Sequence, residues 1–217
     1  MKKSAAPTRM PRKPPSKSVT SRHREDPVRR AKLLSSALFL FAENDFSTVS
    51  TKSIGIHAGV YPSLIYYYFK DKEDIFHQCL TSLVDHISSR YSTLVAQHAD
   101  PHDMIADWLA IHTEMTTDIL QLLKIIIDYS RGNRRDALID AQIRRFYELE
   151  KNVLTAAIEK GRQQERFTTD SARRLAEFAS THLDGIMVRL IIEPTFSIAE
   201  ALKALRDFLF AFMDNRR

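Results

Sequence analysis

The sequence contains one cysteine and only five glycines in 217 residues. A single Cys79 excludes a framework of intrachain disulfides and favours a reducing compartment, so we expect a cytoplasmic protein. The scarcity of glycine, with long stretches that also lack proline, favours helices over strands. No apolar run approaches the ~18 residues that a transmembrane helix needs, and the N-terminus lacks the apolar segment of a secretory signal. We therefore expect no membrane partner.

Charge is distributed unevenly along the chain. Residues 1–30 contain ten lysines and arginines against two acids, although the whole chain has a net charge of only +5. A basic tail on a slightly acidic remainder indicates a polyanionic partner near the N-terminus. The same composition also suits a solvated tail without a partner. We expect residues 1–25 to form a flexible basic arm.

Apolar residues recur at helical spacing through most of the sequence. The pattern predicts helices at about 27–44, 50–58, 62–69, 71–98, 102–131, 134–160, 169–194 and 198–212. Neither the alternation typical of strands nor a repeat of 20–50 residues is evident. We therefore predict an all-α fold.

Several helix ends have a recognisable signal. Asp26 is a good N-cap residue, and Pro27 suits the first helical position. Asp71 can cap the long helix that follows residue 70 in the same way. Gly59 predicts a left-handed residue after the second helix. We also expect Gly161 to end the helix at 134–160.

Two short helices at 50–58 and 62–69, joined by a glycine-containing turn, are typical of a helix-turn-helix. The second helix of such a motif lies in the DNA major groove. Ile65 and Phe69 are four residues apart and therefore share one face of that helix. With Val60 they can pack on the preceding helix, which predicts that Phe69 belongs to the core.

Three consecutive tyrosines lie between these two core positions. Tyr66, Tyr67 and Tyr68 then occupy other faces of the helix and point mostly outward. A phenol at a DNA surface packs its ring on a sugar and donates its hydroxyl to a phosphate. The alternative is that one or two of these tyrosines pack between helices.

The segment 30–76 resembles the DNA-binding domain of TetR-type transcriptional regulators. The matching residues are Phe41, Phe46, Ile54, Ala58, Gly59, Val60, Ile65, Tyr66, Tyr67, Tyr68, Phe69, Lys72, Glu73 and Ile75. The segment 161–191 also looks like the loop and penultimate helix of that family. The resemblance implies a three-helix helix-turn-helix domain followed by a larger helical domain for ligand binding and dimerisation.

The resemblance also implies which residues face DNA. They are Ser50, Thr51, Lys52, Pro62, Ser63, Leu64, Tyr66, Tyr67, Tyr68 and Lys72. The first three open the second helix and face phosphates, and the next three open the recognition helix near base edges. The tyrosines lie on the backbone and groove, and Lys72 looks like the family's phosphate-contacting lysine.

The sequence departs from the family pattern at the helix caps. Val49 stands where a threonine often caps the second helix, so Thr48 or Ser50 has to cap it. Tyr61 replaces the usual serine cap of the recognition helix. Because this helix has no Arg or Asn for bidentate base reading, we expect Leu64 to contact thymine methyls. The basic arm then adds phosphate or minor-groove affinity.

The resemblance divides the chain into the arm at 1–25, a helix-turn-helix domain at 26–74 and a regulatory domain at 75–217. The last two helices are expected to form a homodimer, although their apolar stripes also suit packing within one chain. A small-molecule pocket is expected among the middle helices. Its candidate residues, each of which also suits a core position, are Trp108, His112, Met115, Ile119, Tyr129, Phe146, Phe178, His182 and Met187.

Signals for an enzyme are weak. His98, His102 and Asp103 have the spacing of metal ligands, but Pro101 lies between them and a polar surface loop explains them better. Cys79 has no catalytic arrangement in the sequence, and no glycine-rich phosphate loop occurs. We therefore predict no catalytic residues, no metal and no cofactor.

The preferred prediction is a TetR-like repressor that binds a palindromic operator as a dimer and is released by a small molecule. One alternative is a DNA-bound TetR-like protein that acts mainly through a protein partner. Another is a helical binding module without a role at DNA. Salt-sensitive binding to duplex DNA separates the last alternative from the other two.

Overall fold

A computed structural model describes residues 26–97, 100–132, 135–168, 171–193 and 195–214 of the chain. The expected basic arm at 1–25 lies outside these residues, as do Thr169, Asp170 and Pro194, which were expected near the ends of the penultimate helix. Every regular element within the described ranges is helical, which confirms the predicted all-α class.

The helices follow one another with short connections. They are α1 (Pro27–Glu43), α2 (Thr51–His57), a 3-10 turn (Pro62–Leu64) that runs into α3 (Ile65–Tyr68), α4 (Lys72–Gln97), α5 (Pro101–Glu114), α6 (Thr116–Arg131), α7 (Ala137–Gln163), α8 (Ala172–Ile192) and α9 (Ile198–Met213). We call residues 26–74 the head and residues 75–214 the body.

The head is built around a small apolar core. Leu33 and Ala37 of α1, Ile54 of α2, Ile65 of α3 and Phe69 are all almost completely buried. The burial of Phe69 confirms that it is a core residue, and it fixes α3 against α2. Because an apolar side chain contributes roughly 1.5–3 kcal/mol when it is fully buried, these contacts hold the two short helices in place.

The helix ends of the head follow their sequence signals. Asp26 caps α1 and accepts hydrogen bonds from two backbone N–H groups of its first turn. Ser50, rather than Thr48, caps α2, and it forms a reciprocal capping box with Ser53. Gly59 has a φ of 65°, the left-handed conformation predicted for it.

Phe46 lies at the junction of head and body. Its ring packs against Phe41 at 5.6 Å and against Phe76 at 5.0 Å between ring centroids. Its backbone N–H donates to the Asp128 carboxylate of α6 at 3.0 Å. Nearby, Lys124 of α6 donates to Glu43 at 2.7 Å. The loop between α1 and α2 is therefore tied directly to the body.

Helix α7 is the central element of the body, since it packs against α4, α5 and α8. Each body helix contributes fully or nearly fully buried side chains, among them Ile87, Ile105, Leu122, Leu154, Leu183 and Leu209. Along the described residues, none of the helices combines the length and apolar character needed to cross a membrane.

The prediction of one helix at 102–131 was wrong, because the chain breaks at Met115 between α5 and α6. Met115 has φ −103° and ψ 21°, outside the helical region. The Thr116 hydroxyl donates to the His112 carbonyl at 2.8 Å and to the Thr113 carbonyl at 2.9 Å. A threonine side chain can compete in this way for carbonyls that helical N–H groups otherwise use.

The prediction that Gly161 ends its helix was also wrong. Helix α7 continues to Gln163, and the left-handed residue that follows is Glu165, with a φ of 56°. A Cβ atom on Gly161 would lie 2.0 Å from the Phe167 ring. Gly161 is therefore needed for close packing rather than for a turn.

Candidate DNA-binding surface and buried polar site

The recognition helix exposes two of its three tyrosines. Tyr66 is 63% and Tyr67 is 49% exposed, while Ile65 and Phe69, the core positions on either side of the tyrosines, are buried. Tyr68 is half-buried against the core, and its ring meets Tyr67 edge-on at 5.0 Å. Both interpretations of the triple tyrosine thus apply, two side chains facing outward and the third packing partly inward.

The start of α2 lies beside the recognition helix. The Thr51 hydroxyl is 3.1 Å from the Tyr66 hydroxyl, within hydrogen-bonding distance. Lys52 is exposed next to it, and Ser50 uses its side chain to cap α2. At the other end of this surface, Ser63 is exposed and Leu64 is half-buried at the start of the recognition helix.

Lys72 faces into the head. Its ammonium donates to the carbonyls of Phe46 at 2.8 Å and Val49 at 2.9 Å, and it lies 4.3 Å from the centroid of the Phe46 ring. Two of its three N–H donors are therefore used inside the protein. This geometry makes Lys72 a support for the loop that precedes α2, unlike the phosphate contact that the resemblance implies.

The body contains a cluster of buried polar side chains. His112 is 1% and Glu150 is 3% exposed, and His112 Nε2 lies 3.0 Å from Glu150 Oε1. Ser180 donates its hydroxyl to the other oxygen of Glu150. His112 Nδ1 lies 2.8 Å from the Trp108 carbonyl, and the Tyr91 hydroxyl lies 3.2 Å from His112 Nε2. Four helices thus converge on one histidine and one carboxylate.

A second polar pair flanks this cluster. The Tyr147 hydroxyl is hydrogen-bonded to the Asp184 carboxyl. Burial, followed by the nearby charge of Glu150, raises the pKa of Asp184 to about 6. Burial also raises the pKa of Tyr147 and of Tyr91. The Asp184 carboxyl is therefore costly to ionise unless a cation is close by.

Trp108 packs edge-on against His112, with 5.1 Å between the ring centroids. Its indole N–H is buried and finds no acceptor within the described part of the chain. A buried donor without a partner costs roughly 1–3 kcal/mol. Such a group beside a polar cluster is a natural contact for a ligand that carries an acceptor.

The structure brings Trp108 and His112 into contact and buries six of the predicted pocket residues. Those that are buried are Trp108, His112, Met115, Ile119, Phe146 and Met187. Tyr129 lies elsewhere, where its hydroxyl donates to Asp140 at 3.0 Å and accepts from the Asp136 N–H at 2.7 Å. Phe178 and His182 are exposed on α8 and stack on each other. These last three do not join the buried cluster.

Sequence reasoning missed Glu150, Tyr91, Ser180 and Asp184. A signal for Glu150 exists in the sequence, since it lies four residues after the buried Phe146 and four before the buried Leu154. An acid in the apolar register of an amphipathic helix is unusual and needs a partner. Nothing local identifies the other three as its neighbours.

His102 lies in the first turn of α5, half-buried against the rings of Phe167 and Phe210, and not in the expected polar surface loop. Its Nε2 lies 3.0 Å from Asp214, and its Nδ1 accepts from Arg166 at 2.8 Å. His98 lies outside the described residues. Among the residues that the structure describes, no three or more His, Cys, Asp or Glu side chains are grouped as a metal site requires.

The outer faces of α8 and α9 expose a run of large aromatic side chains. Phe178, Phe208 and Phe212 are 50%, 49% and 52% exposed. Neighbouring ring centroids are 5.7 Å apart for Phe178 and Phe208 and 6.2 Å apart for Phe208 and Phe212. An apolar patch of this kind marks a protein contact surface.

Comparisons with known proteins agree with these features. Residues 33–79 match the model of the bacterial regulatory proteins of the tetR family. The HTH-type transcriptional regulator BetI of Brucella melitensis biotype 2 is 23% identical over 164 residues, which cover 76% of this chain and 80% of that protein. The BetI of Rhizobium meliloti is 23% identical over 200 residues, covering 84% and 87% respectively.

Solved structures share the fold over most of the chain. A putative transcriptional regulator from Saccharomonospora viridis in complex with choline has a TM-score of 0.77 at 19% identity, covering 88% of this chain and all of that one. The regulator FadR from Bacillus subtilis in complex with stearoyl-CoA has a TM-score of 0.69 at 17% identity, covering 84% and 98%. The family match coincides with the capped α2, the left-handed turn and the tyrosine-bearing α3, so residues 33–79 form a DNA-binding domain of the kind found in tetR-family transcriptional regulators.

Proposed function

We propose that this regulator is a repressor that binds a palindromic operator as a homodimer and is released by a small organic cation. The observation that carries the proposal is the pairing of an exposed tyrosine surface in the head with a buried carboxylate cluster in the body. Residues 26–74 read DNA in this scheme. Residues 75–217 bind the effector and a second copy of the chain, and no catalytic step is involved.

The head approaches DNA through the exposed side of α2 and α3. Pro62, Ser63 and Leu64 begin the recognition helix near the base edges. The phenols of Tyr66 and Tyr67 pack on sugars and donate to phosphates. Base recognition rests on thymine methyl contacts and DNA shape, because α3 carries only isoleucine and tyrosine.

Thr51 and Lys52 add contacts from the start of α2. The Thr51 hydroxyl is within hydrogen-bonding distance of the Tyr66 hydroxyl. This contact holds the phenol at a defined position on the DNA-facing side before DNA arrives. Preorganisation of this kind lowers the entropy lost on binding. Lys52 supplies a phosphate contact that depends on salt.

The dimer forms through α8 and α9. Their exposed phenylalanines provide an apolar surface that a second copy can cover. Burial of this surface in a four-helix contact places the two heads on the same side of the dimer. Two copies of one short motif can then occupy half-sites about one helical turn apart, which is why the operator is a palindrome.

The basic arm adds affinity that the head lacks. Of the lysines near α2 and α3, Lys72 uses two donors within the head, and Lys70 lies 3.9 Å from Asp71. The eight lysines and arginines in residues 1–25 provide additional cations for phosphates. Deletion of residues 1–25 is expected to reduce the slope of log affinity against log salt by several units.

The effector is a small organic cation of the choline type. Carboxyl groups of Glu150 and Asp184 lie among the aromatic rings of Trp108, Tyr91 and Tyr147, a combination that suits a cation. The S. viridis protein, which shares the fold, is in complex with choline. A cation that binds among α4, α5, α7 and α8 can change how α4 and α6 hold the head.

The first test is selection of genomic fragments with the purified protein, followed by affinity measurement with and without choline. We expect a palindromic site bound at about nanomolar affinity by two copies of the chain, and an affinity at least about tenfold weaker with saturating choline. Stearoyl-CoA, as an anionic control, should leave the affinity unchanged. No enriched site, or a site that binds one copy, would contradict the operator proposal, and indifference to choline would contradict the effector class.

A further inference from the structure

Both ring nitrogens of His112 face oxygen atoms that accept hydrogen bonds. The Trp108 carbonyl can only accept, so Nδ1, 2.8 Å away, carries a hydrogen. Nε2 lies 3.0 Å from Glu150 Oε1. If the pair is ionised, Nε2 also carries a hydrogen and Glu150 is a carboxylate. If the pair is neutral, the hydrogen is on Glu150. In both cases one proton lies between the two side chains, and the pair has no net charge.

Two neighbouring hydroxyl groups can donate hydrogen bonds to this pair after the shared proton has left. The Tyr91 hydroxyl lies 3.2 Å from Nε2, close enough to donate to it when the ring is neutral. Ser180 already donates to the other oxygen of Glu150. Without the shared proton, His112 therefore keeps two hydrogen bonds, and Glu150 is left as a carboxylate that needs a new partner.

We propose that an effector cation and this proton compete for Glu150, so that each cation bound in the body releases one proton to solvent. The proposal rests on the proposed function, which assigns the cluster to a cationic effector. The reason is charge balance, because two buried charges that do not cancel are strongly unfavourable. While Asp184 is protonated, a cation that replaces the proton keeps the site neutral, whereas a cation added to it leaves one uncompensated positive charge.

The exchange also fits the hydrogen bonds around the site. A quaternary ammonium group has no donor and is held by charge and by aromatic faces, which the carboxylate, Trp108 and Tyr91 supply. A hydroxyl on such a molecule can accept from the indole N–H of Trp108, which finds no acceptor among the described residues. The site thus suits a cation that carries an oxygen atom a short distance from its charge.

The titratable groups around the His112–Glu150 pair come from three neighbouring helices. They are Tyr91 from α4, Tyr147 and Glu150 from α7, and Asp184 from α8. Burial raises the pKa of Asp184 to about 6, so this carboxyl can also exchange a proton in the same range of pH. The two sources are distinguished by the variants Asp184→Asn, which keeps the proton of the His112–Glu150 pair, and Glu150→Gln, which removes it.

The test is calorimetric titration of the full chain with choline in buffers of different ionisation enthalpy, which counts the protons released. For the unaltered protein below about pH 6, where Asp184 is protonated, we expect about one proton per choline and an affinity that rises about tenfold per pH unit. Asp184→Asn should keep most of this release. Glu150→Gln, whose amide cannot ionise, should bind choline more weakly and release almost no proton.

The outcomes separate this inference from the effector proposal. Choline binding to Asp184→Asn without proton release, and with a constant affinity between about pH 6 and about pH 8, overturns the exchange but leaves a cationic effector in place. Proton release that disappears in Asp184→Asn and persists in Glu150→Gln also overturns it. If choline does not bind at any pH, both the effector class and the exchange are wrong, while operator binding is unaffected. If Glu150→Gln does not fold, the unaltered protein and Asp184→Asn still decide the question.

Discussion

The head and the body of this regulator place their polar groups in opposite ways. The head has an apolar core and presents Tyr66 and Tyr67 to solvent, whereas the body encloses Glu150 and His112 almost completely. A side chain that meets a large external partner can be exposed at little cost to folding. A carboxylate in the interior costs stability unless it is paired, and it is therefore informative about a small ligand.

This difference predicts how the two regions respond to mutation. Changes on the outer surface of the head should alter DNA affinity with little effect on the free energy of unfolding. Changes in the buried cluster should alter stability first, since its members satisfy one another. Each of the following variants would sharpen that contrast or break it.

The largest effect is expected for Glu150→Ala. The change leaves His112 and Ser180 without the carboxylate that each of them contacts, in an interior from which water is excluded. Loss of one partner from a buried pair costs about 3–5 kcal/mol, so urea unfolding should show a decrease of about 3 kcal/mol in the free energy of unfolding. Glu150→Gln, which keeps an acceptor for Ser180, should cost less. A loss below about 1 kcal/mol would mean that the cluster is open to water.

Tyr67→Ala should have the opposite profile. Removal of the exposed phenol takes away a sugar contact and a phosphate contact, and operator affinity should fall about tenfold to about 100-fold. The melting temperature should stay within about 2 °C of the original, because the side chain contributes little to the core. Tyr67→Phe, which keeps the ring, should give an intermediate affinity. A large fall in melting temperature would instead place Tyr67 in the core.

The same contrast explains which parts could be predicted from the sequence. The head is defined by signals that lie a few residues apart: Asp26 before Pro27, Ser50 three residues before Ser53, and the left-handed Gly59. Each of these acts through neighbouring backbone groups, so a single sequence contains the necessary information. The division of the tyrosine run followed from helical spacing alone, apart from the partly inward Tyr68.

The body depends on contacts that a local pattern does not contain. Glu150 meets residues 38 positions before it and 30 positions after it. The local sequence predicts that Gly161 ends a helix, yet its role is to accommodate the Phe167 ring. The break at Met115 arises from a threonine hydroxyl that also suits a continuous helix. Such features need the three-dimensional arrangement before they can be recognised.

Lys72→Ala tests a residue for which family resemblance and geometry disagree. Because its ammonium donates to Phe46 and Val49, we expect the free energy of unfolding to fall by about 1–2 kcal/mol. The slope of log affinity against log salt should stay unchanged. The matched control is Lys52→Ala, an exposed lysine whose loss should reduce that slope by about one unit without affecting stability. The reverse pattern would restore Lys72 as a phosphate contact.

The smallest effect is expected for Asp184→Asn, and it should depend on pH. Burial raises the pKa of Asp184 from 3.8 to about 6, so the folded protein favours the protonated carboxyl. The stability from this preference is present in acid and is lost as the pH rises through about 6. The asparagine side chain stays neutral. The free energy of unfolding of this variant should therefore rise, relative to that of the unaltered protein, by about 1–2 kcal/mol between about pH 5 and about pH 7.5.

Melting temperatures measured across this pH range would show how the stability difference between Asp184→Asn and the unaltered protein changes with pH. Asp100→Asn provides a control of opposite sign. Arg166 donates to Asp100 and lowers the pKa of that carboxyl, so the unaltered protein should lose stability relative to this variant as the pH falls. A difference between Asp184→Asn and the unaltered protein that stays constant with pH would mean that the Asp184 carboxyl is solvated. The contrast between an exposed reading surface and an enclosed effector site would then hold for Glu150 and His112 but not for the pair beside them.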